Sequence, residues 1–338
     1  MIAEPISAKS ELIGSYESAS WALILIGSFF VIGFQLADPF SFEFASIGFA
    51  AIVWMTLYAA KRFYTHIRPK PEIAAMMIAL LQMLIFSSLG AGLSYMVAAH
   101  GGAYWDQEFR KWDAALGFDW LAYLKWVNAH PTIGKIYHFA YVTLIPQMVL
   151  LILALGFTGR IYALRITVFA AILTGFSTVL LSGITPGMSN FIALGLTQAD
   201  YPNLNPAAAV VHFADLEALR AGTLRHIALN RLEGIITFPS YHAGLAAVFA
   251  WAYLQAPIVR WLGFFIAVLT ILATPIDGAH YLVDVLGGIT VAGLSIVAAH
   301  YCVPLSMRFQ RFHLLRQPTE ATMIKPSPFH HSHEESAR

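Results

Sequence analysis

The chain has 338 residues, of which 58% are hydrophobic and 12% charged, and its mean hydropathy is +0.65. A soluble domain carries about 45–50% apolar and about 25% charged residues, so this composition excludes one and describes a protein that crosses a membrane several times. A net charge of +1 gives no electrostatic footprint for a nucleic-acid partner, and a single cysteine, Cys302, excludes an intrachain disulfide.

The N-terminus, M-I-A-E-P-I-S-A-K-S-E, lacks the basic flank of a cleaved leader and is expected to stay on the protein. Apolar runs near the ~20 residues that a bilayer-spanning helix needs fall at 20–37, 44–60, 73–97, 132–156, 161–183, 242–257, 259–276 and 280–302. The first two are short and closely linked, so the expectation is an all-α polytopic fold with about six to eight transmembrane helices and no internal repeat. N-terminal transmembrane helices would occupy 1–97, a catalytic membrane unit 98–302, and a cytoplasmic, disordered tail 303–338, where proline and polar residues dominate. His330, His331 and His333 in that tail can bind a metal adventitiously, but no metal or other cofactor is expected as part of the function.

Three segments between the runs are polar. Lys61–Pro69 reads K-R-F-Y-T-H-I-R-P, a basic loop. The 98–131 segment interleaves Trp105, Trp112, Trp120 and Trp126 with Asp106, Asp113 and Asp119. That is the pattern of an amphipathic helix pair lying in the headgroup layer, either an aromatic belt without chemistry or a lid that shapes the substrate. The 184–238 segment begins with the turn I-T-P-G-M-S-N, punctuated by Pro186 and Gly187. It goes on to a cationic cluster of Arg220, Arg225, His226 and Arg231. These arginines are either solvated and balanced by Asp215, Glu217 and Glu233, or at least one holds phosphate oxygens bidentately. Arg231 and then Arg220 are the favoured substrate ligands, with Arg225 beside them.

Chemistry concentrates between Phe238 and Gly288. F-P-S-Y-H (Phe238–His242) opens one apolar run, and G-A-H-Y-L-V-D-V-L-G-G (Gly278–Gly288) opens another. His280 and Asp284 are four apart and are expected on one helix face. A carboxylate there accepts from one imidazole nitrogen and leaves the other lone pair outward, the arrangement that makes a histidine a nucleophile or a metal ligand. His242 is the second histidine, Ser240 is a natural N-cap, and Gly278 is read as loosening the chain before the second helix. Two helix N-termini with free N–H groups would then face one place, as an anionic phosphate requires.

Parity of the spans puts His242, His280, the 98–131 segment and the 184–241 segment on one face. The other face holds the N-terminus, the 61–72 loop, the 157–160 turn with Arg160 and Arg165 beside it, Arg260 and the tail. Of the 20 lysines and arginines, thirteen fall on that other face. Positive residues stay inside, so both termini are expected in the cytoplasm and the site is expected to face the periplasm or a lumen.

F-P-S-Y-H followed by G-A-H-Y-L-V-D resembles the second and third signatures of the type 2 phosphatidic acid phosphatase superfamily, P-S-G-H and S-R-x-x-x-x-x-H-x-x-x-D. It is most similar to the inositol phosphorylceramide synthase (aureobasidin-resistance) branch, which has F-P-S-x-H and H-Y-x-x-D-V. D-A-A-L-G-F-D-W (Asp113–Trp120) also resembles that branch. The resemblance covers about 98–302 and implies a helical-bundle core of the phosphatidic acid phosphatase/vanadium haloperoxidase type. It implies that His280 attacks phosphorus, Asp284 orients it, and His242 protonates the leaving alkoxide and then activates the acceptor. It implies substrate contacts at Ser240 and Tyr241, and a membrane phospholipid as donor with a hydroxyl-lipid or water as acceptor. Two departures stand out. Ala273 and Thr274 occupy the Ser-Arg positions of the third signature. Lys61–Pro69 fits the first signature, K-x-x-x-x-x-x-R-P, yet three apolar runs place it on the opposite face, where a basic loop anchors topology. The rival readings are a lipid phosphate phosphatase acting on phosphatidate or an isoprenyl phosphate, a catalytically inactive lipid binder, and a non-enzymatic transporter.

Overall fold

In the computed structural model, residues 4–204, 207–232 and 234–316 are described. Glu233 and the tail residues 317–338, with His330, His331 and His333, lie outside them. The helices run α1 (Glu4–Ala37), α2 (Phe44–His66), α3 (Pro71–Ala99), α4 (Asp106–Ala115), α5 (Trp120–Ala129), α6 (Pro131–Val142), α7 (Leu144–Phe157), α8 (Ile161–Ile184), α9 (Asn190–Ala193), α10 (Ala207–Arg220), α11 (Tyr241–Tyr253), α12 (Arg260–Asp277) and α13 (Leu282–Arg316). One two-residue parallel bridge, β1 (Ser41–Phe42) to β2 (His226–Ile227), ties the α1–α2 connection to the segment after α10. The protein is an all-α membrane protein.

Among the described residues, six helices are long and apolar enough to span a bilayer: Glu11–Ala37 of α1, α2, α3, α8, α12 and Leu282–Pro304 of α13. The α6–α7 pair is apolar enough when taken together but is bent by 59°, as a broken span or a re-entrant loop is. Pro146, in the first turn of α7, has no N–H to give Val142 four residues back, and α6 ends at Val142. The uninterrupted run expected over 132–156 is therefore a broken helix. The run at 242–257 is also shorter than expected. Its helix, α11, has 13 residues, about 20 Å at 1.5 Å per residue against a hydrocarbon core of about 30 Å.

The central post is α8, which is 72% buried along its span, while α2 stands at the edge against α3 with 6% buried. Phe29, Phe49, Ile52 and Leu262 lie exposed on the outer helices, a band that hydrocarbon can cover and water cannot. α11 threads the middle of the bundle against α8, α12 and α13. Gly288 makes this possible. A Cβ there would lie 2.1 Å from the Ser240 carbonyl oxygen, so glycine lets the first turns of α11 and α13 meet. α13 continues as helix past residue 303 to Arg316.

The short elements α4, α5, α9 and α10 collect at the end of the bundle where α11 and α13 begin. The Trp105 N–H donates to the Pro186 carbonyl at 2.8 Å, the Asn190 N–H to the Ala279 carbonyl at 3.0 Å, and the Trp120 indole N–H to the Pro275 carbonyl at 2.9 Å.

Candidate active site

Ser240 caps α11, its hydroxyl accepting the Ala243 N–H at 3.4 Å. Its own N–H donates to the Asp284 carbonyl at 2.9 Å, which locks the two helix starts together. His280 does not lie on the α13 face expected from its spacing. It precedes the helix, with Tyr281 at the cap position and Asp284 third in the first turn. From there the Asp284 carboxylate reaches back, as the acidic member of a capping box does. Its Oδ2 accepts the Tyr281 N–H at 3.0 Å and the His280 Nδ1–H at 3.1 Å. A carboxylate only accepts, so the His280 proton sits on Nδ1 and Nε2 carries the lone pair. That lone pair accepts the Ser240 hydroxyl at 3.2 Å.

His280 is 6% exposed, and Asp284 and Ser240 are fully buried. Burial pushes the His280 imidazole down to about 3, with His242 and His212 adding to the shift by opposing its charge. The ring is neutral and nucleophilic at neutral pH. His242, in the first turn of α11, stacks on Tyr141 of α6 with ring centroids 4.7 Å apart and planes 13° apart. Gly278 is needed for space, since a Cβ would lie 2.7 Å from the His280 ring and 2.8 Å from the Tyr141 hydroxyl. The left-handed residue beside it is Ala279, at φ 51°.

A tight pocket of about 20 Å³ lies against His280, lined by Gly187, Ser189, His212 and Thr237 among others. Ser189 adopts φ 98°, and its buried hydroxyl has no hydrogen-bond partner. Non-glycine residues at such angles cost about 1–3 kcal/mol and persist where the surroundings impose them. His212 and Ser189 went unnoticed as site residues in the sequence. His212 is a lone histidine in α10, and nothing in its local pattern marks it.

The first turn of α13 departs from the expectation of a helix start with free N–H groups for phosphate. Tyr281 has no capping oxygen. Asp113 of α4 supplies it from a distance, accepting the Leu282 and Val283 N–H groups at 2.9 Å each. Asp106 accepts the Tyr281 hydroxyl at 2.8 Å and the Met188 N–H at 3.0 Å. Asp106, Phe109 and Asp113 form the buried stripe of α4, and Phe109 stacks on Phe238 at 5.2 Å. Burial raises the Asp113 carboxyl, and the two backbone bonds pull it back down. The 98–131 segment thus turns Asp106 and Asp113 inward, onto the loop that carries His280 and its neighbours, while Asp119 stays exposed and caps α5. The i, i+3, i+7 spacing of this stripe was the available signal.

The three arginines differ in their surroundings. Arg225 pairs with Asp38 at 2.9 Å, fastening the α1–α2 connection. Arg220 lies over the Tyr104 ring at 3.9 Å, its Nη2 close to Gly101 and Pro186. Arg231 is exposed and lines a separate cleft with Glu43 and Asp215. Tyr241 lines an apolar cavity together with His242. Lys61, Arg68 and Pro69 sit at the far end of α2, whose 23 residues carry them about 34 Å from its start. Ala273 and Thr274 are fully buried in α12, and the Thr274 hydroxyl donates to the Thr270 carbonyl at 2.8 Å.

The family model of the PAP2 superfamily matches residues 107–298, more than half of the chain. The chain belongs to the PAP2 superfamily. The PAP2 match takes in Asp113, His212, Ser240, His242, His280 and Asp284 and leaves Lys61–Pro69 outside it. PAP2 proteins are generally phosphatases or phosphotransferases, so membership points to lipid phosphate chemistry in an integral membrane protein. No curated protein and no solved structure matches the chain.

Proposed function

We propose that the chain is a membrane-embedded phosphoryl-transfer enzyme acting on lipid phosphates through a phosphohistidine at His280. The observation that carries this reading is the clamp on one imidazole, with the Asp284 carboxylate on Nδ1 and the Ser240 hydroxyl, a displaceable group, on Nε2. Substrate phosphate takes the place of that hydroxyl. Nε2 forms its bond to phosphorus as the bond from phosphorus to the lipid oxygen breaks, and His242 gives the leaving alkoxide its proton. Asp284 stabilises the charge on the ring. In the second half the acceptor hydroxyl passes its proton to His242, and its oxygen takes phosphorus from Nε2. The Ser189 hydroxyl and His212 line the place where the phosphoryl oxygens lie, so positioning and electrostatics carry the catalysis.

The acceptor favoured is a lipid hydroxyl such as ceramide or diacylglycerol, which makes the enzyme a headgroup phosphotransferase. F-P-S-Y-H and H-Y-L-V-D-V, shared in form with the inositol phosphorylceramide synthase branch, support it. One observation favours a second reading, a lipid phosphate phosphatase: the pocket against His280 has room for about one water. The distribution of lysine and arginine supports a site facing the periplasm or a lumen and both termini in the cytoplasm.

The test is turnover by purified protein in detergent with EDTA present. Phosphatidate and phosphatidylinositol are offered with and without ceramide or diacylglycerol, and products are read by mass spectrometry. A new phospholipid that needs the acceptor and is lost in His280→Ala is the expected result. Free phosphate from phosphatidate assigns the phosphatase instead. Turnover that survives in His280→Ala overturns the phosphohistidine, and no turnover of any lipid overturns the enzyme.

A further inference from the structure

A second cavity, of about 240 Å³, lies between α3, α7, α8 and α11 and is lined at one end by Tyr241 and His242, whereas the tight pocket is lined by His280. Its walls are apolar, and Gly90, Ala91, Met148 and Gly175 contribute to them. The rings of Phe86 and Tyr241 pack closely over Gly175 of α8, and the open side of the cavity is toward α7, which the break after α6 turns by 59°.

The cavity is not sealed. Ser87 and Ile145 stand at its mouth, and both are exposed on the flank of the bundle. Ser87 lies twelve residues before the end of α3 at Ala99, about 18 Å from that end at 1.5 Å per residue. The mouth therefore opens at hydrocarbon depth, while the His242 end lies at the level of the active site. Water has no reason to enter such a space, and a hydrocarbon tail does.

We propose that this slot takes one hydrocarbon tail of the lipid alcohol that is bonded to phosphorus. The inference rests on the catalytic reading of His242. The leaving alkoxide is the atom His242 protonates, so the tail attached to that alkoxide lies alongside His242. When the product leaves by the lateral mouth, a lipid acceptor enters by the same route, and one slot serves both half-reactions in turn. The slot runs along α3 from Met83 to Ser94, about 16 Å, so tail length is the property it measures.

The experiment uses the full-length protein and a phosphatidate carrying a photoactivatable group midway along one tail. Labelled peptides are mapped in the unaltered protein, in His280→Ala, in Ala91→Phe and in Ile145→Trp. Ile145 is exposed at the mouth, so Ile145→Trp keeps the test open if Ala91→Phe does not fold. Labels are expected on the α3 and α7 walls in both the unaltered protein and His280→Ala. They are expected to fall about tenfold in the two blocked variants, in line with the value of apolar contacts in such pockets. The second arm measures kcat/KM over phosphatidates of increasing tail length, and the blocked variants are expected to lose the long tails and keep the shortest. Labels confined to the outer surface, or blocked variants that label and select as the unaltered protein does, overturn the slot. The labelling arm needs no catalysis, so failure of the functional reading appears separately, as labelled walls in a protein that turns nothing over.

Discussion

Two carboxylates buried at the same helix start do different work. Asp284 and Asp113 are 0% and 3% exposed, and both bind the first turn of α13. Asp284 belongs to that turn and reaches back over four residues to His280. Asp113 comes from α4, 169 residues earlier than the first N–H it holds. Asp284 sets the tautomer of His280, the proposed nucleophile, whereas Asp113 satisfies backbone donors that Tyr281 leaves orphaned. The difference teaches that an active-site carboxylate and a structural one look alike by burial and separate only by what they accept.

The strongest break in that comparison is Asp284→Asn. The side chain keeps its shape but no longer enforces the proton on Nδ1, and kcat is expected to fall by about 10³–10⁴ with thermal stability nearly unchanged. Steady-state turnover of the lipid substrate checks this. A loss of tenfold or less would reduce Asp284 to a cap. Asp113→Ala is expected to do the reverse. Two buried N–H groups lose their acceptor, which costs about 2–3 kcal/mol of stability, and activity falls by tens-fold through the displaced His280 loop. Thermal melts in detergent paired with kcat measure both, and Asp113→Asn, which keeps one acceptor oxygen, should recover part of each.

The smallest effect sharpens the contrast through pH. An unfolded imidazole titrates near 6.5 and the buried His280 near 3, so between those values the unfolded chain binds more protons. Stability therefore falls as pH falls through that window, by up to about 1.4 kcal/mol per unit, and is unaffected by this group above 6.5. The expected outcome is a melting temperature that declines below pH 6.5 and declines less steeply in His280→Asn. An identical decline in the variant would show that His280 is not held neutral by burial.

Much of this was legible because it is local. Apolar runs announced the spans, Ser240 announced the start of α11, and the four-residue interval announced the His280–Asp284 contact, although the contact turned out to be a cap and not a helix face. Pro146 was a readable break that a hydropathy run hides. Residues whose partners lie far along the chain were not legible. Arg225 looked like a phosphate ligand until Asp38 was seen to hold it, and Asp106 and Asp113 looked like headgroup-facing charges until α13 was seen above them.

By itself the sequence determined that the chain crosses a membrane many times, where most of its long apolar helices lie, and that two histidine motifs stand at helix starts, because hydropathy and capping act over a few residues. The tertiary structure alone decided which of the charged side chains meet those histidines. It decided that His212 and Ser189 join them and that α7 leans away to leave an apolar slot beside His242. Those outcomes depend on the approach of helices that are distant in sequence, which Gly288 and the break at Pro146 permit but do not specify.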